Sequence, residues 1–223
     1  MYRSSSPNLD SDTTICLGDS LLRKQDIELL LGPSWLNDTV IAFYFEYLES
    51  NVFKGNKSML CVPPQVTQCV KMIAANEIGA FLEPLKAHKK NLILFALNDH
   101  EFCEAAGGTH WSLLVFSKLD SKIYHFDSCP GLNRNQAVEF GHKLFTYFGK
   151  HFQNGVVEAN CLQQNNNYDC GVHVLCNAEH IIQFATRFGT VEGCPIIDQR
   201  VVSGFRKKML DIVMNMVAKG KGY

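Results

Sequence analysis

An apolar stripe recurs at helical spacing over Val174, Leu175, Ala178, Ile181, Ile182 and Ala185, and it begins just behind Asp169-Cys170-Gly171. A helix with such a stripe needs a core to cover it, and its first turn then carries a cysteine. The unpaired N–H groups and the positive dipole end of a helix N-terminus favour a thiolate, the reactive form of a group that otherwise titrates near about 8.5. This one helix start therefore constrains packing and chemistry together.

Two earlier segments supply what a thiol nucleophile lacks. Residues 111–116 and 122–126 are short apolar, β-branched and aromatic runs around the polar stretch Ser117-Lys118-Leu119-Asp120-Ser121, which predicts an antiparallel hairpin, although its turn has no Asn-Gly pair. If Phe116 faces Ser121 across a four-residue loop, His110 stands opposite Asp127. Directly opposed residues share a face, with Cβ atoms about 4.5–5.5 Å apart. The carboxylate then holds one imidazole nitrogen while the other faces Cys170, which fixes tautomer and orientation. A one-residue slip would turn the pair apart. Gln164, six residues before Cys170 in an amide-rich loop, offers a side-chain N–H that joins the Cys170 backbone N–H as a donor pair for an oxyanion. Gly171 has no Cβ and lets a substrate backbone come close to the sulfur.

Taken singly, each residue has an ordinary role: a small buried thiol, a structural histidine, a turn-forming aspartate, a solvated amide. Their order, the hairpin geometry and the helix start agree on acyl transfer through a cysteine.

The segments Gly107-Gly108-Thr109-His110-Trp111-Ser112-Leu113-Leu114-Val115, His125-Phe126-Asp127-Ser128 and Gln164-Asn165-Asn166-Asn167-Tyr168-Asp169-Cys170-Gly171 resemble the ubiquitin-like-protein-specific proteases, of the sentrin-specific or Ulp type, with a papain-like fold. Trp35-Leu36-Asn37-Asp38, Phe81-Leu82-Glu83-Pro84-Leu85 and Leu97-Asn98-Asp99 followed by Ala105-Ala106-Gly107-Gly108 most resemble the deneddylase branch, which acts on the modifier NEDD8. The resemblance runs from about Asp19 to the last helix. It implies His110, Asp127 and Cys170 as a triad and Gln164 as oxyanion donor, in agreement with the residue-level reading.

For Trp35 and Trp111 the residue-level reading favours core packing. The resemblance instead implies a narrow tunnel between two tryptophans that admits only a Gly-Gly tail. Asp38 beside a helix start reads as a cap or first-turn carboxylate; the resemblance implies pairing with a basic residue near the modifier tail. Residues 98–109, polar and ending at His110, read as a loop able to fold over that tail, with Asn98 among the substrate contacts.

Residues 37–48 predict a helix with Val40, Ile41, Tyr44, Phe45 and Leu48 inward, and residues 64–73 a second, opened by Pro64. Residues 91–97 read as a buried strand, 136–148 as a helix closed by Gly149, and 156–158 as a short strand. Asp198 caps a terminal helix with Val202, Phe205, Met209, Ile212, Val213 and Met216 as its apolar stripe. Helices around a mixed or antiparallel sheet make an α+β fold, here the papain-like one with the nucleophile opening a central helix.

At 223 residues and 46% hydrophobic, with no internal repeat or Gly/Ser linker, the expected organisation is a mobile polar leader over 1–18, one catalytic domain over 19–218 and a frayed tail over 219–223. A formal charge of −1 argues against a nucleic-acid partner, and no stretch reads as a membrane span. Eight scattered histidines without a CxxC or His-x-x-x-His pair argue against zinc, and no cofactor is expected. Nine irregularly spaced cysteines without a signal peptide read as reduced thiols of the cytosol or nucleus. The expected protein is a monomeric protease whose partners are NEDD8, or another ubiquitin-like modifier, and its conjugates. A SUMO-specific protease and a catalytically inactive modifier-binding module are the alternatives.

Overall fold

The computed structural model describes residues 14–102, 107–149 and 155–220. It opens on a hairpin of β1 (Thr14–Leu17) and β2 (Ser20–Arg23), which turns at Gly18, φ +53°. The Glu46 carboxylate holds that turn, accepting from the Asp19 and Ser20 N–H groups at 3.0 Å each. Ile15 and Leu22 are fully buried. The leader expected over 1–18 is thereby corrected: from Thr14 onward the chain is a strand, because Ile15 has a core to enter. Residues 1–13 lie outside the described residues, as do 221–223 of the expected tail.

After the short α1 (Lys24–Glu28) comes α2 (Asp38–Tyr47). Asn37 caps it, its side chain accepting from the Val40 N–H at 3.0 Å. All five residues predicted to face inward are buried, and the helix runs on into a π-turn, Leu48–Val52. The chain continues through β3 (Met59–Val62), α3 (Pro64–Met72), α4 (Gly79–Leu82), β4 (Leu92–Asn98), β5 (Trp111–Ser117) and β6 (Lys122–Phe126). It ends with α5 (Arg134–Phe148), β7 (Val156–Glu158), α6 (Cys170–Phe188) and α7 (Gln199–Ala218).

β3 to β7 form one sheet in sequence order, parallel at its two outer pairs and antiparallel within. Because side chains alternate across a strand, Leu94, Ala96, Leu113 and Val115 face a core shared with α2, α6 and α7. Ile93, Phe95, Leu114 and Phe116 face a second core under α3, α4 and α5. This is the expected α+β arrangement with a mixed sheet. Covered on both faces, β4 is buried at all seven positions. No helix among the described residues is long and apolar enough to cross a membrane.

The hairpin register differs from expectation. Ser117 pairs with Lys122 and Leu113 with Phe126, two residues away from a pairing of Phe116 with Ser121. The turn closes one residue later because Ser121 takes a left-handed conformation, φ 53°, which sequence does not advertise for a serine. A shift of two keeps every side chain on its face, so His110 and Asp127 become diagonal neighbours and still meet.

Candidate active site

Three element ends converge. Cys170 is the first residue of α6, His110 precedes β5, and Asp127 follows β6. The His110 imidazole and Asp127 carboxylate meet at 2.6 Å between Nε2 and Oδ1, with 3% and 2% of the two side chains exposed. Such a pair is shielded from solvent screening. Asp127 also accepts from the Cys129 N–H at 3.0 Å on Oδ1 and from the Asn133 N–H at 3.2 Å on Oδ2. These bonds, led by that from His110, outweigh the upward push of burial and hold Asp127 below the usual carboxylate range. Burial by itself would lower the imidazole, but the bond to Asp127 and the neighbouring Cys170 sulfur prevail and hold it up at about 9, which favours an imidazolium beside the sulfur at neutral pH.

A cleft of about 740 Å³ opens onto Cys170 and gathers all four expected substrate contacts, Trp35, Asp38, Asn98 and Trp111. Trp35 is 48% exposed, so its face is presented to the cleft and not to the core; its indole N–H donates to Asn167 O. Trp111 is half-buried against the core and donates to Leu36 O at 3.0 Å, combining both of the roles considered for it. Asp38 occupies the first helical position, with Oδ1 accepting from the Thr39 N–H at 3.0 Å and Oδ2 from Gln65 Nε2 at 3.0 Å. The buried Asn98 lies opposite Trp111 in the sheet ladder and accepts the His100 N–H at 2.8 Å.

Gln164 is not a lining residue of that cleft. Its Oε1 accepts from Ser128 Oγ at 2.8 Å and its Nε2 donates to Asn166 O at 2.6 Å, which ties the loop before α6 to the strand end that carries Asp127. At Gly171 a Cβ would lie 3.0 Å from Leu36 Cβ, so the glycine lets α6 pack tightly against Leu36.

Several residues of the site carried no sequence assignment. Asp99 accepts from the Thr109 N–H at 2.7 Å, the Thr109 hydroxyl at 2.6 Å and the His110 N–H at 3.1 Å. Those bonds offset its burial, lower its titration and fix the backbone that presents the imidazole. Beside it, Gly108 sits at φ +90°, and a Cβ would run into the Asn98 side chain at 1.8 Å, so only glycine serves there. Under Asp127, Asn133 Nδ2 donates to Leu97 O at 3.1 Å and Ser112 Oγ at 3.0 Å, and Ser112 contacts His125 Nε2 at 2.9 Å. The other His125 nitrogen meets both oxygens of Glu158 at 3.0 Å. The sequence signal for these residues was their place beside motif positions: Asp99 follows Asn98, and His125 lies two before Asp127.

The arrangement matches known proteins. The model of the Ulp1 protease family, C-terminal catalytic domain, matches residues 34–216. Sentrin-specific protease 8 of Rattus norvegicus is 36% identical over 206 residues, covering 91% of this chain and 94% of the relative. NEDD8-specific protease 1 of Arabidopsis thaliana is 33% identical over 186 residues, covering 81% and 80%. The solved C-terminal Ulp1 protease domain in complex with Smt3, the yeast ortholog of SUMO, aligns with a TM-score of 0.72 at 18% identity, covering 94% of this chain and 90% of that one. This chain therefore belongs to the Ulp1 protease family.

Proposed function

We propose that the protein is a deneddylase: a cysteine protease that cleaves after the carboxyl-terminal Gly-Gly of NEDD8, both in the precursor and in conjugates. The observation that carries this reading is the buried 2.6 Å His110–Asp127 pair beside Cys170, at the end of a cleft walled by Trp35 and Trp111. In the proposed mechanism the Cys170 sulfur attacks the terminal glycine carbonyl carbon. The negative charge that develops on the carbonyl oxygen is met by the Cys170 backbone N–H and by the Gln164 amide proton not given to Asn166. His110 passes its proton to the departing amine, a lysine side chain in a conjugate or an α-amine in the precursor, leaving a thioester. The now neutral imidazole takes a proton from water as that water attacks, and the modifier carboxylate leaves.

The name of the Arabidopsis thaliana relative, NEDD8-specific protease 1, and the flanking matches around Phe81 and Asn98 support NEDD8 over SUMO as the modifier. Discrimination among tails of similar shape rests on differential contacts, for which Asp38 and residues 98–109 are the groups at hand; 103–106 of that loop lie outside the described residues. Parallel kcat/KM measurements on carboxyl-terminal fluorogenic NEDD8, SUMO and ubiquitin substrates test the assignment. NEDD8 is expected to be cleaved well, ubiquitin poorly and SUMO negligibly. A preference for SUMO would overturn the deneddylase reading.

The two tryptophans should separate by location. Trp35→Ala removes an exposed wall and one indole bond to Asn167 O, so stability is expected to fall by about 1 kcal/mol or less while kcat falls and KM rises, since the scissile bond loses its guide. Trp111→Ala removes in addition a half-buried indole and its bond to Leu36 O, so its kinetic loss should come with a lower denaturation midpoint. Unchanged kinetics for Trp35→Ala would remove it from the substrate path.

A further inference from the structure

Asp169 stands next to the nucleophile and is an unfavourable neighbour for it. A carboxylate at a helix N-cap ordinarily accepts from N–H groups of the first turn. Here that would set a negative charge where the Cys170 sulfur develops one, and would consume the N–H field that favours it. Although Asp169 is the N-cap residue of α6, its side chain makes no cap bond. Its Oδ1 accepts instead from Arg206 Nη2 at 2.7 Å and Nε at 3.1 Å, and its Oδ2 from Asn166 Nδ2 at 2.8 Å.

The arginine is itself anchored. Arg206 Nη1 donates to Leu29 O at 2.6 Å and Nη2 to Ser34 O at 2.7 Å, and the guanidinium carbon lies 5.8 Å from the centre of the Tyr168 ring. The Arg206 and Asp169 side chains are 17% and 18% exposed, so water and salt screen their charges only partly. Ser34 leads directly into Trp35, and Asp169 into Cys170. One guanidinium on α7 therefore spans from a cleft wall to the nucleophile.

We propose that Arg206 is a positioning residue for the reaction: it draws the Asp169 carboxylate off the N-terminus of α6 and neutralises it, leaving the helix N–H field to Cys170. This rests on Cys170 as the nucleophile, as proposed above. A simple structural ion pair explains the contacts between Arg206 and Asp169. The neutralising role makes a further demand, that removing the Asp169 charge should make the Arg206 charge dispensable for the reactivity of the thiol.

Alkylation by iodoacetamide at pH 7, followed by mass spectrometry on the Cys170 peptide, reads that reactivity directly. Arg206→Gln is expected to slow alkylation of Cys170 about ten- to a hundredfold, the scale of one unneutralised charge several ångströms away at an effective dielectric near about 20, and to lower kcat more than it raises KM. Asp169→Asn should alkylate at least as fast as wild type. The double variant should recover to within about threefold of Asp169→Asn. A double variant as slow as Arg206→Gln would overturn the proposal, because lost bracing is not repaired by removing a carboxylate. If Arg206→Gln fails to fold by circular dichroism, Asp169→Asn, which leaves both carbonyl anchors of Arg206 in place, decides alone: a tenfold loss overturns the proposal and an undiminished rate supports it. Failure of the underlying reading shows separately, as hydrolysis that persists in Cys170→Ala.

Discussion

Cys170→Ala is expected to lower hydrolysis of a Gly-Gly-ended modifier substrate by about 10⁴-fold or more, with modifier affinity within about twofold of wild type. In the proposed mechanism the sulfur bonds to the scissile carbonyl carbon, whereas binding would draw on the whole cleft. Neither of the two cysteines nearest to it in sequence among the described residues is primed to substitute. Cys176, the next cysteine along α6, is buried, and burial drives its thiol far up. Cys161 is pushed up to about 11 by burial and donates its S–H to Asp127 O at 3.2 Å. Turnover assays beside a binding measurement on the same preparation check this, and substantial residual hydrolysis would take the role away from Cys170.

Asp127→Asn should come next in size, a loss of about 10³–10⁴ in kcat with the fold retained. Both carboxylate oxygens are in use, Oδ1 by His110 and the Cys129 N–H, Oδ2 by the Asn133 N–H. An amide in either orientation therefore sets an N–H against an N–H. The substitution also has a pH signature with a definite sign. In the wild type the bond to Asp127 is the leading influence that raises His110 to about 9, against burial, which lowers it. Activity that depends on the imidazolium is therefore kept through neutral pH and lost as pH rises through about 9. Without the carboxylate charge, burial is opposed only by the sulfur, and the alkaline limb should move to lower pH. A kcat/KM profile from pH 5 to 10 on both proteins reads it. Near wild-type turnover with an unmoved limb would reduce Asp127 to a carboxylate at a strand end.

The parts of the site that sequence made legible are those set by local pattern. The stripe behind Cys170 fixed the helix start, since nine successive residues from Cys170 to Ala178 are buried in α6, and the alternation in 111–117 and 122–126 fixed which face His110 and Asp127 share. What was missed depends on partners distant in the chain. The β1–β2 turn is held by Glu46, 26 and 27 residues away, so residues 14–17 read as polar leader until that carboxylate is in place. The hairpin register turned on a serine at φ 53°, for which no residue type gives a signal. β3 is a four-residue apolar run, too short to distinguish from other buried segments by periodicity. Arg206 lies 37 residues from Asp169, on the polar side of a helix whose apolar stripe reads only as core.

Covalent capture tests the central claim most directly. NEDD8 bearing an electrophilic group in place of its terminal carboxylate is presented to the wild-type protein, and the adduct is located by mass spectrometry. The account predicts a stoichiometric thioether on Cys170, slowed by Asp127→Asn and absent in Cys170→Ala, while the same group on SUMO labels negligibly. Absence of any adduct, or attachment to another of the nine cysteines, would contradict it.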